Sequence, residues 1–216
     1  YKGKVAHHDS SGGGGVIGEG DVQWMTAASG VLHKEYHEEN FSKEGGEFQM
    51  VQLWVNLPAK DKMSSPKYQA ISKDQIHKYK LPNYGGEIEI IAGNYKDIPG
   101  AASTFTPIHV YNAKLTTGAK ADFSFPGHFN TAALVIEGSI WVNDVDHVPV
   151  NHFVLFENTG EQFSIEALED SIVLVLSGEP IMEPIVAHGP FVMNTREEIV
   201  KAFDDYHKGK FGTLED

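Results

Sequence analysis

The stretch "GVLHKEYHEE", residues 30–39, brings two histidines and three glutamates close together. If it is extended, alternate side chains share a face, so His33 and Glu35 point one way and Lys34 the other. An imidazole and a carboxylate one strand step apart can both reach a single divalent ion. Such a mixed nitrogen and oxygen set suits iron, manganese, nickel, copper or zinc. Two ligands alone do not fix a metal, and the same pair also occurs in solvated acidic patches. His37, Glu38 and Glu39 read as an ordinary acidic loop. Further histidines are scattered from His7 to His188, and none makes a compelling ligand pair by itself. His7 and His8 are adjacent, so on a strand they face opposite ways and cannot both ligate from one face.

The elements that must position these residues read mostly as short strands. Four consecutive glycines, 12–15, follow "KVAHHDSS" and read as a loop between two strands. No Lys-Ser/Thr and no strand–turn–helix pattern accompanies them, so a nucleotide-binding loop is a weak reading. "EFQMVQLWVNL", 47–57, alternates Val51, Leu53, Val55 and Leu57 on one face and is expected to be a strand. "EIEIIAG", 87–93, sets Glu87 and Glu89 against Ile88 and Ile90 and predicts a half-buried strand. "PIHVYNAKL", "AALVIEGSIWV", "HFVLFEN" and "SIVLVLSG" are four more candidates between turn signals, a spacing that suggests a β-sandwich or small barrel. The tail predicts a helix. Asn194 or Thr195 stands as N-cap with Glu197 or Glu198 three positions on, Ile199, Phe203 and Tyr206 share a face, and Gly209 is the stop.

Composition bounds the function. The 216 residues allow one large or two small domains. A net charge of −13, with no run of Lys and Arg, argues against direct nucleic-acid binding. The absence of cysteine excludes a disulfide framework, a thiolate zinc site and thiol catalysis, and it fits a cytoplasmic location. No apolar run reaches membrane-spanning length, so no membrane association is expected.

Three segments, "GDVQWMTAASGVLHKE" (20–35), "QLWVNLPAKDKMSSPKYQ" (52–69) and "EPIVAHGPFVMNTREEI" (183–199), closely resemble the pirin family of the cupin superfamily. They stand in family order across nearly the whole chain. The resemblance implies an all-β fold: two jelly-roll cupin barrels facing each other, with a C-terminal α-helix. The expected domains are 1–104, a first barrel lacking its opening strands, and 105–216, a second barrel with the terminal helix. It also implies one divalent metal, Fe(II) above others, in the first barrel. His33 and Glu35 fall on two of its ligand positions, and two further histidine ligands are expected upstream of Tyr1. In the second barrel Asp122 and Ser124 stand where paired histidines would be, so that barrel is expected to be metal-free.

Two functions follow from the resemblance. One is a quercetin 2,3-dioxygenase-type oxygenase taking a small aromatic, flavonol-like substrate and O2. Glu35 would then be both ligand and catalytic base. The other is a non-catalytic iron-binding regulator, a transcription cofactor or modulator of a metabolic enzyme, with a protein partner. Two ligands leave most of a coordination sphere to water, so this chain is expected to hold metal weakly.

Overall fold

Short runs of alternating apolar and polar residues give one face to a core and one to water. The computed structural model, which describes residues 1–214, folds most of them into antiparallel strands. The last two positions of the expected second domain, 215 and 216, lie outside the described residues. The chain divides into two compact units: Tyr1–Lys73 with Ile181–Asp216, and Asp74–Pro180. No described helix is long and apolar enough to cross a membrane.

The first unit opens with β1 (Val5–Asp9), β2 (Gly14–Ile17), β3 (Val22–Thr26), β4 (His33–His37), a short helix α1 (Glu39–Glu44) and β5 (Lys67–Ile71). β1 is the middle of a three-stranded sheet ordered β2-β1-β4, and β3 pairs with β5. The glycine run is a tighter turn than expected. Residues 10–13 make the reversal, and Gly14 and Gly15 already belong to β2. The expected strand at 47–57 does not form. Apart from a bridge between Gln49 and Lys2, no strand among the described residues pairs with it through the backbone. Phe48, Met50, Leu53, Trp54 and Val55 stand exposed. Alternation specifies two faces, but a strand also needs a neighbour for its backbone.

The second unit contains β6 (His77–Lys80), β7 (Gly86–Ala92), β8 (Asn94–Tyr95), β9 (Ile98–Pro99), β10 (Ile108–Leu115), β11 (Lys120–Ser124), β12 (Asn130–Glu137), β13 (Ser139–Val142), β14 (Asp146–Pro149), β15 (Phe153–Leu155), β16 (Gln162–Ala167) and β17 (Ser171–Gly178). A six-stranded sheet runs β15-β12-β17-β10-β7-β6, and a four-stranded sheet runs β11-β16-β13-β14. "AALVIEGSIWV" is two strands rather than one. It breaks at Gly138, whose φ of 76° is left-handed and where a Cβ would strike Ser171 and the Asp170 carbonyl. The division therefore differs from the expected 104/105 boundary. β6 and β7 hydrogen-bond into the sheet of β10, so they fold with the residues that follow them.

The core of this unit is aromatic and aliphatic: Ile88, Ile90, Tyr111, Phe123, Ile140 and Ile165 are almost wholly buried. On β11, Ala121 and Phe123 turn inward while Asp122 and Ser124 are exposed. Phe123 stacks on Phe163 at 5.1 Å and on Tyr111 at 6.3 Å.

Strand β7 departs from the half-buried reading, because Glu89 is only 2% exposed. Lys114 and Lys78 reach it at 2.7 and 3.0 Å. Burial alone would push its carboxyl up, but hydrogen bonds from the two lysines outweigh that and hold it below the usual carboxylate range. The unfolded chain protonates this group at the higher, ordinary value. The cluster's stabilisation is therefore full above about pH 4.3 and is lost as pH falls through the lowered folded value. In thermal melts across pH 7 to 3, Glu89→Gln is expected to flatten the acid fall in Tm. Parallel wild-type and variant curves would remove Glu89 from the acid response.

The chain then returns to the first unit through β18 (Val186–His188), β19 (Phe191–Met193) and α2 (Arg196–His207). Thr195 is the N-cap, and Thr195 and Glu198 close a capping box. Gly209, at φ 71°, follows the last turn. Ile199 is buried and Phe203 packs edge-on against His188 and Phe191, whereas Tyr206 is half exposed. The helix thus belongs with the first unit rather than with the second expected domain.

Candidate metal centre

His33 and Glu35 occupy β4, which runs antiparallel to β1 with Asp9 opposite His33 and His7 opposite Glu35. Opposed residues share a face, and so do residues two apart on one strand. The register therefore gathers His7, Asp9, His33 and Glu35 on one side of the sheet and sends His8 and Lys34 to the other.

One ligand atom each from His7, His33 and Glu35 lies within 4.8 Å of the others. The Nδ1 of His7 is 4.0 Å from Glu35 Oε1. The His7 and His33 rings stand 5.5 Å apart, tilted by 50°. The amide of Gln52 donates to Glu35 Oε2 at 3.2 Å, which leaves Oε1 toward the histidines. His33 is exposed at the start of β4.

Burial separates the members. The His7 side chain is fully buried, and neither ring nitrogen has a hydrogen-bond partner among the described residues. Burial pushes its imidazole below the ordinary histidine value, and His33 adds to this. Glu35 and Asp9 pull the other way without overcoming it. His7 is therefore neutral near pH 7, the form that ligates. Asp9 lies behind it. Burial would raise its carboxyl, but bonds from Ser11 and Gly13 hold it below the usual range. Tyr68 lies parallel to the His7 ring at 5.5 Å, and burial raises its hydroxyl, with Asp9 adding to the shift.

This donor set fits a divalent cation. Bonds of about 2.0–2.2 Å place neighbouring donors on one ion about 3–4 Å apart, close to the observed spacing. The orphaned nitrogens of His7 are what an unfilled ligand position leaves behind. Among the described residues no second group of three such donors gathers this closely.

The rest of the acidic stretch does other work. His37 packs against Phe41 and Phe48. Glu38 is not a loop residue but the N-cap of α1, its carboxylate accepting from the backbone of Asn40 and Phe41. His7, one of several further histidines in the sequence, is placed beside the pair only by the β1–β4 register.

Comparison with known proteins agrees along most of the chain. The family model described as pirin matches residues 1–55, and the pirin C-terminal cupin domain matches residues 110–212. A provisionally named quercetin 2,3-dioxygenase of Pseudomonas aeruginosa is 46% identical over 211 residues, covering 98% of this chain and 73% of that protein. The crystal structure of a quercetin 2,3-dioxygenase from Acinetobacter baumannii matches with a TM-score of 0.94 at 47% identity, over 100% of this chain and 75% of that one. A bacterial pirin from Escherichia coli, solved with nickel(II), shares the fold at a TM-score of 0.62 and 19% identity, over 83% of this chain and 69% of that one.

Proposed function

The chain belongs to the pirin family and has its all-β cupin fold, and from that premise we propose that it is a metal-dependent oxygenase of the quercetin 2,3-dioxygenase type, acting on flavonol-like substrates with O2. The observation that carries the proposal is the convergence of His33 and Glu35 donors on one side of the β1–β4 sheet. Two relatives near half identity that bear the quercetin 2,3-dioxygenase name support the reaction class.

In this reading His33 and Glu35 hold the cation. Fe(II) is the choice that the family resemblance favours, and the N/O donor set accepts it. When bound, the cation supplies a Lewis-acid centre that acidifies a coordinated hydroxyl. The protein's own part is proton transfer and placement. Glu35 would accept the proton of the flavonol 3-hydroxyl on its carboxylate, which faces the cluster. Gln52 fixes the orientation of the carboxylate by donating to Oε2.

The test is to load the protein with Fe(II) under anaerobic conditions, add quercetin and air, and follow flavonol absorbance with oxygen uptake. Metal-dependent loss of flavonol with matching oxygen consumption is expected, and Glu35→Gln should slow it by about 100-fold or more. Metal binding without turnover of any flavonol would point instead to a regulatory iron-binding protein.

A further inference from the structure

Resting on the metal-centre reading above, we propose that Phe211 and Ser10 are positioning residues for His33. The turn that follows α2 clamps the loop at 27–32, and the clamp sets the place and direction from which the His33 imidazole leaves β4.

His33 is the first residue of β4, and its partner Asp9 is the last of β1. The ladder therefore holds this residue from one side only, and the ends of elements open more readily than their middles. The loop that leads into it is also costly to hold. Ala28 sits at φ 46° and Gly30 at φ 119°, both in the left-handed half of backbone space. Such conformations persist where the surroundings over-determine them, and they gather at functional sites.

Three attachments over-determine this loop. On one side the Ser29 N–H donates to the Ser64 carbonyl at 3.1 Å. On the other, Ser10 continues the β1–β4 ladder by one residue. Its N–H donates to the Leu32 carbonyl at 2.8 Å, and its hydroxyl accepts from the Leu32 N–H at 2.9 Å. The same hydroxyl donates its proton to the Phe211 carbonyl. Ser10 is thus a node between the residue before His33 and the turn after α2. The third attachment is the Phe211 ring, only 9% exposed. It lies so close over Gly30 that a Cβ there would strike it. Phe191 and Tyr206 stand beside the ring at 5.9 and 6.3 Å.

The turn is built to deliver that ring. Gly209 ends the helix at a positive φ, and the Lys210 N–H donates back to the Asp205 carbonyl at 3.0 Å. The Lys210 ammonium reaches Asp205 Oδ1 at 2.5 Å, while Lys201 holds Oδ2 at the same distance. Phe211 follows directly. A misplacement of about 1 Å can cost a site about 100-fold, so a clamp one loop away from the ligand still governs what the ligand does.

The test is made on the full-length protein, with Co(II) as the probe metal. Three quantities are read: Co(II) affinity, the visible bands of bound Co(II), which report ligand geometry, and metal-free amide exchange at residues 29–33. Ser10→Ala and Phe211→Ala are each expected to weaken Co(II) binding by about 10-fold or more and to change the bands. Exchange at Leu32 is expected to rise by about 10-fold. Phe211→Leu, which refills the space over Gly30, is expected to recover most of all three. Ile199→Ala removes a buried side chain near the start of the same helix and costs general stability instead. It is expected to keep the wild-type affinity and bands. Wild-type affinity and bands in a folded Ser10→Ala or Phe211→Ala protein overturn the role of that residue, and an equal loss in Ile199→Ala overturns both. Should Phe211→Ala fail to fold, Ser10→Ala decides, since it removes one hydroxyl only. If His33→Ala binds Co(II) as the wild type does, the metal-centre reading itself fails, a result that the Ser10 and Phe211 variants cannot produce.

Discussion

His33→Ala is expected to abolish stoichiometric metal binding while leaving the fold intact. Its imidazole is exposed at the start of β4, and the backbone ladder to β1 does not depend on the side chain. Surface substitutions of this kind usually change stability by less than about 0.5 kcal/mol. The loss at the centre is of another size. Changing an outer partner of a ligand already costs about 10–100-fold in affinity, and removing the ligand itself should cost more. Elemental analysis after gel filtration, with a melt on the same sample, makes the comparison. An unchanged metal-to-protein ratio would take His33 out of the centre.

The second large effect falls in the other unit. Phe123→Ala is expected to destabilise it by about 3–5 kcal/mol. Phe123 is 1% exposed and lies in a run of rings with Phe163, Tyr95 and Tyr111. Truncation removes the ring's transfer free energy and leaves a hole that its neighbours, themselves packed, cannot close. Buried Tyr111 shows how tightly this interior is drawn: its hydroxyl donates to the Asn94 carbonyl, and burial drives its pKa far above the ordinary tyrosine value. Urea unfolding of wild type and variant gives the difference. A loss under about 1 kcal/mol would show that this ring is not what the sandwich is built on.

These two predictions differ in how far the sequence alone could have reached them. The apolar runs of "SIVLVLSG" and "PIHVYNAKL", bounded by turn residues, place β17 and β10 within a residue of expectation. The capping box at Thr195 and Glu198 likewise needed only local spacing. β16 was passed over although Phe163, Ile165 and Ala167 alternate in it, because its outward positions are too polar to make an apolar run. Glu89 was assigned to solvent by the same alternation that placed Ile88 and Ile90 inside. Periodicity tells faces apart but does not say that a second face is also covered.

The centre was half legible. His33 and Glu35 are two apart on one strand, and that relation lies within a few letters. His7 reaches them only through the pairing of "VAHHD" with "HKEYH", a long-range fact that depends on register. One signal was available. Both strings are short, histidine-bearing and flanked by turn residues, and laying them antiparallel puts His7 against Glu35. The 47–57 segment failed in the opposite direction, since its pattern is strand-like but no described strand pairs with its backbone.

That segment also gives the protein an optical handle. Of the three tryptophans, Trp24 and Trp141 are half-buried, whereas Trp54 is 64% exposed in the middle of the apolar ribbon of Phe48, Met50, Leu53 and Val55. The long-wavelength part of the emission therefore belongs to Trp54. A neutral quencher such as acrylamide removes that part first, and anything that comes to cover the ribbon moves it to the blue. The protein carries a built-in fluorescent sensor of whatever settles on this exposed apolar ribbon.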